Sequence, residues 1–399
     1  MKTYSLSNFE PDCMLKNIYI LLSLFLSILS FGQSQTDYML VDVQISKIPT
    51  SATFSTKDIA NYINSNFKTD NDKIRAIFYW TASNISYDMG NRFTLNSRVT
   101  SENKIKNILQ TRKGVCSDYT EIFNDLASKV GIKSVIISGY SKQNGVIDTI
   151  SHAWCAAKIN NKWYLFDPTW GSGFSNNGRF FKKLDNSYFK VSPSQSISSH
   201  IPFDYLWQFL NYPITNQEFY QGKTQINKSK KYFDFENEIA RYESSSEIDR
   251  LYDSAERIEK NGVENNLILE RLKNKDKNIS YLRQKTNVEK LNIITNNCNQ
   301  AISLLNDFIN YRNKRFSPTL PDNEIKNMVT TPKQKLIECQ NALYDMGYVG
   351  SGNSSNLASL KKSINNALAQ TEEHLIFVQN YLSKNNMVRK GMFTKITWY

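Results

Sequence analysis

Cys116 follows Gly114-Val115 directly and opens an apolar helical pattern in the stretch TRKGVCSDYTEIF, Thr111 to Phe123. A thiol at a helix N-terminus is favoured as its thiolate, because unpaired N–H groups and aligned peptide dipoles put partial positive charge there. A nucleophilic cysteine also needs a base and a group that orients the base. The chain has only three histidines, His152, His200 and His374. That narrows the search for the base. No HExxH, CxxC or phosphate-loop spacing occurs, so neither a metal centre nor a cofactor is expected.

Turn counting selects among the histidines. Ser151 to Ile159 and Lys162 to Asp167 have the composition of two strands, joined by Asn160-Asn161 as a tight turn. Pro168 ends the second strand because it has no N–H for the ladder. A two-residue turn sets Ile159 against Lys162, Trp154 against Asp167 and His152 against Thr169. Residues two apart share a sheet face, so His152, Trp154 and Asp167 share one. Diagonal cross-strand neighbours lie roughly 7–8 Å apart at the backbone, within side-chain reach. An acid beside a histidine is therefore predicted unless a bulge shifts the register. Cys116, His152 and Asp167 then supply a nucleophile, a base and an orienting carboxylate. His200 and His374 read as structural or surface residues.

The elements that must position these residues follow from periodicity. Leu40-Val-Asp-Val-Gln-Ile45, within residues 33–52, suits a linker or first strand. Ser55 to Asp58 is a capping-box pattern that starts a short helix. Further helices are predicted from Asp72 to Asn84, after Ser101, and from Cys116 onward. In the last, Cys116, Tyr119, Phe123, Leu126, Ala127 and Val130 form one stripe and Gly131 supplies a stop. Ser134 to Tyr140 reads as a buried strand. From residue 231 the character changes to long polar helical segments. Leu291, Ile294, Cys298, Ala301, Leu305 and Phe308 step by three and four, as do Leu357, Leu360, Ile364, Leu368, Thr371, Leu375, Val378 and Leu382. These narrow stripes suit a helical bundle or coiled-coil hairpins.

Three blocks carry a family resemblance: DKIRAIFYWTASNISYD, GVCSDYTEIFNDLASKVGIKSVIISGY and HAWCAAKINNKWYLFDPTWGSG. They resemble the transglutaminase-like superfamily, in its kyphoscoliosis-peptidase and cytokinesis-associated branch. The resemblance is strong from Phe54 to Gly173 and weaker through SHIPFDYLWQFLNYPITNQEF. It implies a papain-like α+β core, with helices packed on an antiparallel sheet, followed here by an all-α region. It places the nucleophile on Cys116, the general base on His152 and the orienting carboxylate on Asp167. Gln110 and Trp154 are candidates for an oxyanion or substrate contact. Cys155 stands where many relatives have Asn, and by alternation it faces away from His152. The domain expectation is a signal peptide over residues 1–32, a transglutaminase-like domain over 53–230 and a helical domain over 231–399.

The apolar run Ile18 to Phe31 after Lys16, with Ser30-Phe31-Gly32 before Gln33, has the layout of a secretory signal peptide. Met14 opens it better than Met1. Export to the periplasm or medium is thus expected, with no integral span after cleavage. Cys298 and Cys339 could pair or remain separate thiols. The net charge of +12 and pI of about 9.2 would favour contact with an anionic cell surface. The basic residues are scattered among Asp and Glu, though, which is the pattern of a solvated surface. No nucleic-acid signature is present. The expected partner is a protein or peptide substrate, acted on by cysteine-dependent acyl transfer. Peptidase, deamidase and transglutaminase outcomes need the same residues and stay open. The alternative is an inactive scaffold that binds a partner through its helical C-terminal region.

Overall fold

The computed structural model describes residues 38–91 and 100–393. The signal-peptide run lies outside the described residues. The described residues fall into two compact units that divide between Leu272 and Lys273.

The first unit opens with a helix, α1, at residues 38–46. A linker or first strand was predicted there, and the structure corrects it. Val41 and Ile45, one helical turn apart, are both buried. Asp42 between them accepts from Arg75 Nε and NH2 at 2.7 and 2.6 Å. Leu40 and Val43 are exposed, so the buried pair Val41 and Ile45 follows helical spacing and not strand alternation. Helices α2 (Thr56–Asn66) and α3 (Asp70–Asn84) follow. Ser55 caps α2 by accepting from the Lys57 N–H. A two-residue strand β1 (Ser86–Tyr87) pairs in parallel with β2 (Lys113–Gly114), with α4 (Ser101–Thr111) between them in sequence. Helix α5 (Cys116–Lys129) starts two residues after β2 ends.

Four strands come next: β3 (Ser134–Gln143), β4 (Val146–Ile147), β5 (His152–Ile159) and β6 (Lys162–Phe166). They pair antiparallel in the order β4-β3-β5-β6. A hairpin of β7 (Gly173–Asn176) and β8 (Arg179–Lys182) leads through the short helix α6 (Pro193–Ser196) to β9 (His200–Pro202), which also pairs with β3. The sheet is covered on both faces. Cys155, Ala157, Ile159 and Phe166 join the apolar cluster built from α2, α3 and α5. Trp154, Ala156, Trp163 and Leu165 pack with Leu206, Phe209 and Ile239 on the other side. This is the predicted α+β, transglutaminase-like fold: helices against an antiparallel sheet.

After α7 (Asn216–Tyr220) come α8 (Phe235–Ser244) and α9 (Glu247–Lys260). The sequence puts a division at residues 230–231, but the compact unit runs on to Leu272. Two contacts explain the difference. Ile239 of α8 joins the cluster under the sheet. Arg257 of α9 grips buried Asp204 through Nε and NH2 at 2.7 and 2.8 Å.

The second unit holds most of α10 (Asn266–Asn313), then α11 (Asp322–Tyr344), α12 (Ser354–Leu382) and α13 (Asn386–Gly391). Its core meets the expected stripes: Leu291, Ile294, Cys298 and Ala301 pack with Leu336 and Cys339 of α11 and with Leu360 and Ile364 of α12. Cys298 and Cys339 are separate buried thiols.

Candidate active site

Cys116 is the first residue of α5, half-buried on the wall of a cavity of about 670 Å³. The chain folds this way because Asp118 closes the helix start. Its carboxylate accepts from the Val115 N–H at 2.9 Å. Gly114 must lack a side chain there, since an added Cβ would come within 2.6 Å of the Asp118 Cβ. Tyr119, Phe123, Leu126 and Ala127 then bury the stripe, and Cys116 sits at its cleft end.

The β5–β6 hairpin brings His152 and Asp167 together. Ile159 opposes Lys162 and Cys155 opposes Phe166, so the predicted register holds to the last paired position. Asn160 and Asn161 have φ of 49° and 61°. Two successive left-handed residues make the tight turn on which that register depends. One residue past the ladder, Asp167 accepts through Oδ2 from His152 Nε2 at 2.7 Å. Its other oxygen, Oδ1, accepts from the N–H groups of Thr169 and Trp170 at 2.9 and 3.1 Å. Cys116 lines the same cavity as His152 and raises the proton affinity of its ring. With Nε2 committed to Asp167, Nδ1 is the ring atom left free to face the cavity.

Electrostatics favour a charged pair here. Burial opposes a charge on His152, but the Asp167 carboxylate offsets it by charge and hydrogen bond, and Cys116 adds to the effect. The imidazole is raised to about 10. Burial also opposes the charge on Asp167, while His152 and His200 hold it far below the usual carboxylate range. The ring of His152 lies stacked against Trp154 and Trp170, with centroids 6.0 and 5.4 Å away and planes 28° apart in each case. Indole faces beside an imidazolium favour its charge.

His200, read from the sequence as a structural or surface residue, is not at the surface. It is a buried member of the site, with Nε2 3.1 Å from the same Asp167 Oδ2. Trp170 was also missed as a site residue. Cys155 faces α5, where its Sγ approaches the Thr120 carbonyl oxygen at 3.7 Å, away from His152. Gln110 is exposed near the end of α4 and is not among the residues that line the cavity. An oxyanion role for it finds no support in that placement. Trp154 is buried against the His152 ring. His374 belongs to the second unit, where Arg312 NH1 donates to its Nδ1 at 2.8 Å. Among the described residues, His152, Asp167 and His200 have potential ligand atoms all within 4.8 Å of one another. Both ring nitrogens donate to one carboxylate oxygen, so hydrogen bonds within the group account for its closeness.

Residues 57–168 match the model of the transglutaminase-like superfamily. Human kyphoscoliosis peptidase is 30% identical over 159 residues, covering 38% of this chain and 24% of that protein. Hillarin of Drosophila melanogaster is 25% identical over 182 residues, 41% of this chain and 22% of that protein. Cytokinesis protein 3 of Saccharomyces cerevisiae is 29% identical over 155 residues, 33% of this chain and 17% of that protein. The chain thus spans a quarter or less of the length of these relatives.

Proposed function

Because residues 57–168 form a transglutaminase-like domain, we propose that this chain is a cysteine-dependent acyl-transfer enzyme acting on protein or peptide amides. The observation that carries the reading is His152 bonded to Asp167 and sharing with Cys116 the wall of a cavity large enough for a peptide side chain and its backbone.

The chemistry follows from the proton positions. His152 holds two protons, one donated to Asp167 and one directed at sulfur, and Cys116 is the thiolate. The sulfur attacks the amide carbonyl carbon and the carbonyl π pair moves to oxygen. First-turn N–H groups of α5, those of Cys116 and Ser117 among them, have no acceptor within the helix. They are the donors for the oxyanion. As the tetrahedral intermediate collapses, the C–N bond breaks and the nitrogen takes the Nδ1 proton. A thioester on Cys116 remains. Neutral His152 then removes a proton from water, giving hydrolysis, or from an amine, giving transamidation. Trp170 and Tyr188 line the same cavity and, with Tyr87 and Phe174, give it an aromatic wall for substrate side chains. Hydrolysis is the preferred outcome of this reading, and export through residues 1–32 is part of it. Among the described residues no helix is long and apolar enough to cross a membrane.

The test offers the purified protein a fluorescent amine and a labelled peptide library together. Peptide cleavage, side-chain deamidation or amine incorporation that disappears in Cys116→Ala supports the proposal. Absence of all three, with the protein folded, favours a scaffold. Mass spectrometry of exported protein checks the processing step, with a mature terminus at or near Gln33 expected.

A further inference from the structure

His200 is the one histidine in the catalytic domain that the acyl-transfer steps leave without a task, yet it is 5% exposed and bonded to the catalytic carboxylate. The chain goes to some length to put it there. It lies on β9, in register with Ser141 of β3. The close approach of β9 depends on Gly139, where an added Cβ would stand 2.1 Å from the Ile201 carbonyl oxygen and 2.6 Å from the Trp154 ring.

Its protonation state follows from its neighbours. Asp167 is ionised, so the nitrogen facing Oδ2 must carry a hydrogen. That fixes the Nε2–H form. Nδ1 is then free to accept, and the Ser199 hydroxyl lies 2.8 Å away, against 3.5 Å to its other acceptor, the Ser196 carbonyl oxygen. Burial disfavours a charge on His200, and Asp167 only partly offsets this. The ring is therefore a neutral donor. A cation at the same place would repel the imidazolium of His152, whereas a neutral N–H steadies the carboxylate without that cost.

We propose that His200 is a positioning residue of the acyl-transfer site, donating its Nε2–H to Asp167 so that the carboxylate stays ionised and turned toward His152. The proposal rests on the acyl-transfer reading above. With His200 in place, Oδ2 takes two ring donors and Oδ1 two backbone donors, so the carboxylate has one available orientation. Without it, Asp167 binds a proton more readily and can rotate. His152 then loses the partner that holds its own proton. The other titratable groups facing this cluster are Cys116, Tyr119, Asp148, Cys155 and Tyr188.

The test is iodoacetamide labelling of Cys116 across pH in the full chain, read by mass spectrometry, with thermal melting as the control for folding. Wild type, His200→Phe and His200→Gln are compared. Phe keeps a flat ring and loses the donor. Gln loses the ring packing against Trp154 and Trp170 and keeps an amide N–H of similar reach. In His200→Phe the acid limb of labelling is expected to rise by about one pH unit, the scale of one hydrogen bond to a charged group. In His200→Gln the limb should stay within about 0.3 unit of wild type, even if melting falls. An unmoved limb in His200→Phe overturns the proposal and leaves the acyl-transfer reading intact. So does a Gln limb displaced as far as one unit, because ring packing would then be what matters; this holds if the Phe variant does not fold. Wild type that fails to label at acid pH overturns the acyl-transfer reading itself, and this proposal with it.

Discussion

His152 Nε2 lies 2.7 Å from Asp167 Oδ2, with both side chains at least nine-tenths buried. His152 opens β5 and Asp167 directly follows the last residue of β6, so the hairpin fixes the contact. Replacing Asp167 by Asn keeps the shape and inverts one partner. The amide offers a donor where His152 needs an acceptor, and the ring turns to the wrong tautomer. Turnover should fall by about 10⁴-fold, as such a change does in serine-protease triads. Circular dichroism should show an unchanged fold.

The same pair sets a pH dependence of stability. The folded value of His152 is raised above its unfolded one, about 6.5, to about 10. That contribution is fully present below the unfolded value and is lost as pH rises through the folded one. Asp167 is shifted the opposite way, so its contribution is present above its unfolded value, about 3.9, and is lost on acidification. The melting-temperature gap between wild type and Asp167→Asn should therefore be widest near pH 5–6 and shrink steadily toward pH 10. A gap that is flat across that window contradicts the coupling.

Cys116→Ala should abolish activity at little cost to folding. The residue sits at the cleft end of its stripe, half-buried, and its replacement removes one sulfur atom from a cavity wall. The expected destabilisation is about 1 kcal/mol or less, measured by urea unfolding.

The position of the domain boundary is open to truncation. A chain ending after Lys230 loses α9 and leaves the Asp204 carboxylate buried without Arg257 and Ser254, its partners at 2.6–2.8 Å. Breaking a buried ion pair on one side costs about 3–5 kcal/mol, so this chain should be destabilised or insoluble. A chain ending after Leu272 keeps both partners and should melt cooperatively. The opposite ranking would return the boundary to residue 230.

Short-range geometry made much of the site legible in the sequence. The turn at Asn160-Asn161 fixes the register, and the register alone puts an acid beside His152. Cys116 was legible from Gly114 just upstream and from an apolar stripe. His200 was not, because it comes from 33 residues beyond Asp167 on a strand of three residues. No local period marks so short an element. The one trace was Gly139, a glycine inside a strand, which signals a close backbone neighbour without naming it. The Asp204–Arg257 pair, 53 residues apart, was hidden for the same reason, and the domain boundary with it. Residues 38–46 misled because alternation over six residues suits a strand, while the packing of Val41 and Ile45 and the Asp42–Arg75 contact, 33 residues apart in sequence, are not visible locally.

The central claim is that His152 keeps Cys116 ready as a nucleophile. The most direct measurement is the rate of iodoacetamide labelling of Cys116 at about pH 5.5, three units below the free-thiol range of about 8.5, in wild type and in His152→Ala. Wild type should label there nearly as fast as at neutral pH, and His152→Ala should label only as the pH approaches the free-thiol range. Two proteins that label along one curve would mean that the thiol and the imidazole are not coupled, and the enzyme reading would give way to the scaffold.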